Sequence, residues 1–144
     1  MAKNLRNVTI PITIIQSNSD LLYDADENKR IKILQNNLKT TKKFAKEGLV
    51  IWSESGIPFI IHDEITELPN ISNYLPNDCS DILLITGTDL VDSNKLFYNS
   101  LIAIEQTGKI STRYKKRILV PFGEFIPLID FLPNSFKSLV QQNI

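Results

Sequence analysis

The sequence predicts an α/β fold, and three features of its apolar patterning predict it. A β-branched stretch over residues 12–16 is followed by a helical period over 27–47, and then by the continuously apolar run Leu49-Val50-Ile51-Trp52. Strand, helix and strand in that order make a βαβ unit, whose two strands lie parallel. Farther on, strand patterns over 96–105 and 110–114 flank Thr107-Gly108-Lys109, the signature of an antiparallel hairpin. Parallel and antiparallel pairs together give a mixed sheet.

Each element has a local reason. Pro11 lacks an N–H for a ladder, so the first buried strand is expected to begin at Ile12 and to close in Gln16-Ser17-Asn18. Residues 19–28 are acidic and irregular, and Leu21, Leu22 and Tyr23 read as a loop folded back on the core. In the helix, Ile31, Leu34, Leu38 and Ala45 recur on one face, and Gly48 stands where a C-terminal cap belongs. The run 49–52 has no polar alternation, as expected of a parallel strand covered on both faces. Residues 59–75 read as one short helix and a loop, 81–87 as a strand bounded by Gly87, and 89–95 as a polar turn. Past Pro127 apolar residues continue without a further complete strand, and the whole of 1–144 reads as one incomplete domain.

Composition narrows the function. Sixteen Lys and Arg balance sixteen Asp and Glu, which argues against a dedicated nucleic-acid binder. One cysteine excludes an internal disulfide, and with a single histidine it cannot make a structural zinc site; no cofactor is expected. No apolar run reaches the roughly 20 residues of a membrane-spanning helix, and the first residues lack a signal-peptide core.

Two stretches carry chemistry. Glu54 follows the apolar run 49–52, and a carboxylate at the carboxyl end of a buried parallel strand sits where open α/β sheets bind ligands. In Tyr114-Lys115-Lys116-Arg117-Ile118-Leu119-Val120-Pro121-Phe122-Gly123-Glu124, a strand ends in cations and crosses a turn to a carboxylate. Such a segment can set an ammonium and a carboxylate at one cleft, where negative charge developing in a reaction is stabilised. His62, beside Asp63 and Glu64, reads as a surface residue, and Cys79 lies in an acidic turn that disfavours its thiolate.

The second stretch, Lys-x-x-Leu-Val-Pro-Phe-Gly-Glu-aromatic-x-Pro, resembles the central signature of bacterial apolipoprotein N-acyltransferases, whose catalytic domain belongs to the carbon-nitrogen hydrolase (nitrilase) superfamily. Trp52-x-Glu54-x-x-Ile57-Pro58 is similar to the segment that bears the family's catalytic glutamate, with Ser53 for the usual proline and Gly56 for a commoner alanine. The Tyr98-Asn99-Ser100 triplet also falls where the family has it. The resemblance implies a partial nitrilase-like α-β-β-α sandwich, a mixed sheet with helices on one face and its second half missing. It implies Glu54 as catalytic base, Lys116 as oxyanion stabiliser and Glu124 as a carboxylate orienting Lys116. The reaction implied moves an acyl chain from a phospholipid to an enzyme cysteine, then to the N-terminal amine of a lipoprotein, at the periplasmic face of the bacterial inner membrane.

The family's nucleophile lies after the Phe-Gly-Glu segment, and Cys79 does not match it. The expectation is therefore an N-terminal part of the catalytic domain, inactive alone, cytoplasmic if expressed alone, and completed by a second polypeptide if it works at all. Two other readings remain at this point: a fragment of a soluble amidase or nitrilase, and a non-enzymatic phosphate-binding module built on Arg113, Lys115, Lys116 and Arg117.

Overall fold

The structure, a computed structural model, describes residues 9–18, 26–73, 75 and 82–118. The elements run β1 (Ile12–Ile15), α1 (Glu27–Phe44), β2 (Gly48–Trp52), β3 (Ile60–His62), α2 (Pro69–Ser72), β4 (Ile82–Val91), β5 (Phe97–Glu105) and β6 (Ile110–Lys115). They form one mixed six-stranded sheet in the order β1-β2-β4-β5-β6, with β3 also paired to β4. The pairs β1–β2, β2–β4 and β3–β4 are parallel, while β4–β5 and β5–β6 are antiparallel.

The topology around β4 is the feature that builds the site. Its first half pairs with β2, from Gly48 opposite Ile82 to Ile51 opposite Ile85. Its last residues pair with β3, from Ile60 opposite Asp89 to His62 opposite Val91. Thus β2 and β3 lie end to end on one edge of β4, and between them the chain leaves the ladder as the turn that holds Glu54.

The core lies on one face of the sheet. Val50 and Trp52 of β2, Leu84 and Leu90 of β4, Ile102 and Ile104 of β5 and Ile110 of β6 are buried there against Leu38 and Ala45 and, from the α2 region, Ile71 and Leu75. Each such aliphatic contributes about 1.5–3 kcal/mol when fully buried. Helix α1 begins at Asp26, whose carboxylate accepts from the Lys29 backbone N–H at 2.7 Å. That is the N-cap arrangement, and it satisfies one otherwise unpaired donor.

Several expectations are corrected. Helix α1 ends at Phe44 rather than at residue 47, and Gly48, at φ +80°, opens β2 instead of capping the helix. A side chain at Gly48 would strike the Pro11 carbonyl oxygen, which accepts from Leu49 N at 2.9 Å. Ile31 is partly exposed, and the inward stripe of α1 instead includes Ile33, Asn37 and Thr41. Each of the two polar members makes a buried hydrogen bond, Asn37 Nδ2 donating to Gly56 O and Trp52 Nε1 donating to Thr41 Oγ1, while Asn37 Oδ1 is buried without a partner among the described residues. Strand β3 falls in a region read as helix and loop, although α2 is there as expected; three residues are too few to show a period. Gly87 does not bound β4, which continues to Val91.

Strand β1 begins at Ile12 as expected, yet Ile12 is 58% exposed and Ile14 74%, so only Ile15 is buried. Leu49 and Ile51 are half-buried, so among the described residues β2 is covered on one face only. The loop residues Leu21, Leu22 and Tyr23, Cys79 and everything beyond Ile118, Glu124 included, lie outside the described residues.

Candidate functional site

Glu54 stands in a tight turn whose backbone is fixed from three sides. Gly56 N donates to Ser53 O at 3.0 Å, closing the turn, and Ile57 N donates to Gly87 O at 3.1 Å, tying it to β4. From behind, the buried Asn37 of α1 donates to Gly56 O at 3.0 Å. Gly87 is required by proximity: a Cβ there would lie 3.1 Å from Glu54 Cα and 2.9 Å from Ser55 N. Its lack of a side chain lets the turn rest on the strand. Ser55, at φ +53°, takes the left-handed conformation that costs a residue with a Cβ roughly 1–2 kcal/mol. Strain of this kind is tolerated where the surroundings hold it.

The Glu54 side chain is exposed, and its Oε1 accepts from Asn99 Nδ2 at 3.0 Å. Asn99 lies near the start of β5, directly opposite Asp89 of β4. Its own carbonyl accepts from the Lys116 backbone N–H at 2.9 Å, continuing the β5–β6 ladder one residue past β6. The Glu54 carboxylate and the Lys116 backbone N–H, remote in sequence, thus both bond to Asn99. Lys116 itself is half-buried.

The preceding cations are engaged elsewhere. Lys115 Nζ lies 2.8 Å from Asp63 Oδ2 and 4.2 Å from the centre of the Tyr98 ring, and Arg113 Nε lies 3.4 Å from Asp63 Oδ1. Arg113 also donates to the Ile65 carbonyl oxygen. Tyr98 in turn donates its hydroxyl to Asp92 Oδ2 at 3.0 Å. Because successive residues of a strand face opposite ways, anchoring Lys115 on the Asp63 side turns Lys116 toward the face that carries Asn99. The 113–117 cluster is thus split between faces, which removes the shared surface that a phosphate-binding patch needs.

The local charges respond to these contacts. Burial pushes the Asp89 carboxyl up from 3.8, Arg30 pulls it down, and the neighbouring Glu54 pushes it up again. Asp92 is held below its ordinary range, chiefly by the Leu96 backbone N–H and then by Tyr98 and Asn94 despite some desolvation. The bond to Asp92 pushes the Tyr98 hydroxyl up, and the bond to Asp63 does the same for the Lys115 ammonium. Among the described residues no group of His, Cys, Asp and Glu side chains gathers as a metal ion would require.

Of the residues singled out from sequence, the fold brings Glu54 and Lys116 to Asn99 and sets His62 on the surface at the end of β3. Glu124 lies outside the described residues. From sequence Asn99 is marked only within the Tyr98-Asn99-Ser100 triplet, with no role attached, and Asp89 falls in an expected turn. A polar residue on the outward phase of an apolar strand was the signal available for Asn99.

No family model matches the chain. Its sequence is similar to apolipoprotein N-acyltransferases: 29% identical to that of Allorhizobium ampelinum over 133 residues, covering 85% of this chain and 25% of that protein. The Rhizobium etli protein is 32% identical over 119 residues, covering 76% of the chain and 21% of the relative. The Rhodopseudomonas palustris protein is 38% identical over 86 residues, 56% and 16% of the two chains. The chain thus spans about a quarter or less of the length of these relatives. Among solved structures, an N-terminal amidase crystallised with an Asn-Glu-Ala peptide superposes with a TM-score of 0.53 at 17% identity, over 78% of this chain and 29% of its own. A second N-terminal amidase structure gives 0.53 at 18%, over 77% and 28%. Over most of its sequence the chain is similar to a part of apolipoprotein N-acyltransferases, and its fold is similar to that of the N-terminal amidases.

Proposed function

We propose that this chain supplies the base and the oxyanion-binding cation of an N-acyltransferase active site that passes a phospholipid acyl group through a cysteine thioester to the N-terminal amine of a lipoprotein. The observation that supports it most directly is that the Glu54 carboxylate accepts from the Asn99 side chain while the Lys116 backbone N–H bonds to the Asn99 carbonyl, which brings the two chain segments to one strand position. In this reading Glu54 takes the proton of the cysteine thiol, and the thiolate attacks the ester carbonyl of the phospholipid. The Lys116 ammonium stabilises the tetrahedral oxyanion, and Glu124 keeps that ammonium charged and oriented. Collapse expels the lysophospholipid alkoxide, which recovers the proton from Glu54. The incoming amine then attacks the thioester, gives a proton to Glu54, and the thiol leaves with it.

The nucleophile is not Cys79, which lies outside the matching motifs. Residues 1–144 as an isolated polypeptide are therefore expected to form no thioester, because removing one member of a catalytic unit removes nearly all of its rate. Co-expression with the cysteine-bearing remainder of such a domain, assayed for thioester from a phospholipid with a labelled acyl chain, tests the assignment. Glu54→Gln and Lys116→Met should each lower thioester formation at least about 100-fold. Full activity of either variant, or thioester on residues 1–144 alone, overturns the reading.

A further inference from the structure

We infer that Asn99 is the positioning residue that fixes the Glu54 carboxylate relative to Lys116. The inference rests on the functional reading above and adds the group that registers its base against its cation. Glu54 is an exposed side chain on a turn beside a left-handed Ser55, so nothing in its own backbone selects one rotamer. Asn99 is held on both sides, in the β4 ladder opposite Asp89 and in the β6 ladder through Lys116 N. A donor fixed in this way selects the carboxylate orientation in which Oε1 lies 3.0 Å from Asn99 Nδ2. Because a carboxylate only accepts hydrogen bonds, the amide must present its NH2 group here.

The amide is also the side chain that the surrounding charges tolerate. Asp89 faces Asn99 from β4, Glu54 from the turn, Arg30 acts on Asp89 from α1, and Lys116 follows β6. Aspartate at position 99 would add a third carboxylate beside Glu54 and Asp89, whereas leucine keeps the backbone bond to Lys116 and removes the donor to Glu54. Loss of that donor should therefore show in the chemical step rather than in substrate affinity or folding.

In the co-expressed, cysteine-containing assembly, Asn99→Leu should lower kcat for thioester formation roughly 10- to 100-fold, with KM for the phospholipid and the unfolding midpoint unchanged. Asn99→Asp should be weaker still near neutrality, where the introduced carboxylate cannot donate and repels Glu54. Wild-type kcat in Asn99→Leu overturns the inference, as does a loss expressed only in KM or stability. If Glu54→Gln is itself fully active, the functional reading fails; if Glu54→Gln is dead and Asn99→Leu is not, the positioning role alone fails. A spectroscopic measurement decides independently of activity. In the 15N-labelled polypeptide of residues 1–144, Glu54→Ala should shift the Asn99 side-chain amide resonances and speed their exchange with solvent, and unchanged resonances refute the contact.

Discussion

Asp89 is the residue whose ionisation works against the fold. Its carboxyl is pushed up from 3.8 by burial and by Glu54, more than Arg30 lowers it. The folded state thus binds its proton more tightly than the unfolded chain does. Ionised Asp89 therefore costs stability above its folded pKa, and that cost disappears as pH falls through it. Asp89→Asn should raise the urea midpoint at neutral pH, with a gain that shrinks as pH approaches about 4. A midpoint gain independent of pH would show that the charge is not the cause. Glu54 could be singled out from sequence because a carboxylate directly after a continuous apolar strand is conspicuous. The Tyr98-Asn99-Ser100 triplet marks Asn99 without giving it a role, and nothing marks Asp89, because what they do depends on lying opposite each other across two strands, and cross-strand register is not a local property.

Between residue and fold, the helix acts on the site through a single polar contact. Asn37 is buried on α1 and donates to the buried Gly56 carbonyl, so the helix braces the Glu54 turn as well as covering the sheet. Asn37→Ala should destabilise by about 1–3 kcal/mol, the cost of a buried acceptor left without a donor. Chemical denaturation measures this, and a change below about 0.5 kcal/mol would mean that the carbonyl finds another donor. The helix itself was legible in the spacing of Leu34, Leu38 and Ala45. Its polar inward residues were not, since Asn37 and Thr41 look solvent-facing until Gly56 and Trp52 are brought to them. Likewise Gly87 reads as a strand terminator, yet it sits within β4 because the Glu54 turn lies against it.

For the molecule as a whole, the unequal treatment of the two sheet faces matters most. One is packed by helices. The other, which carries Asn99 and the approach to Glu54, presents Ile12, Ile14, Leu101 and Tyr114, each at least 45% exposed, with no described element over it. An apolar face of this kind favours association. The polypeptide of residues 1–144 should bind a hydrophobic dye and sediment as more than a monomer, and Ile14→Lys with Leu101→Lys should reduce both. A dye-silent monomer would show the face to be covered. A layer laid over it would also exclude water beside Glu54 and Lys116, strengthening their electrostatics. By itself the sequence determined the α/β class, the βαβ start, the hairpin and the carboxylate after β2, because apolar period, turn residues and motif spacing are written locally along the chain. Only the tertiary structure decided which face of the sheet is packed, that β2 and β3 share one edge of β4, and that Asn99 joins Glu54 to Lys116, because each depends on register between segments far apart in the chain.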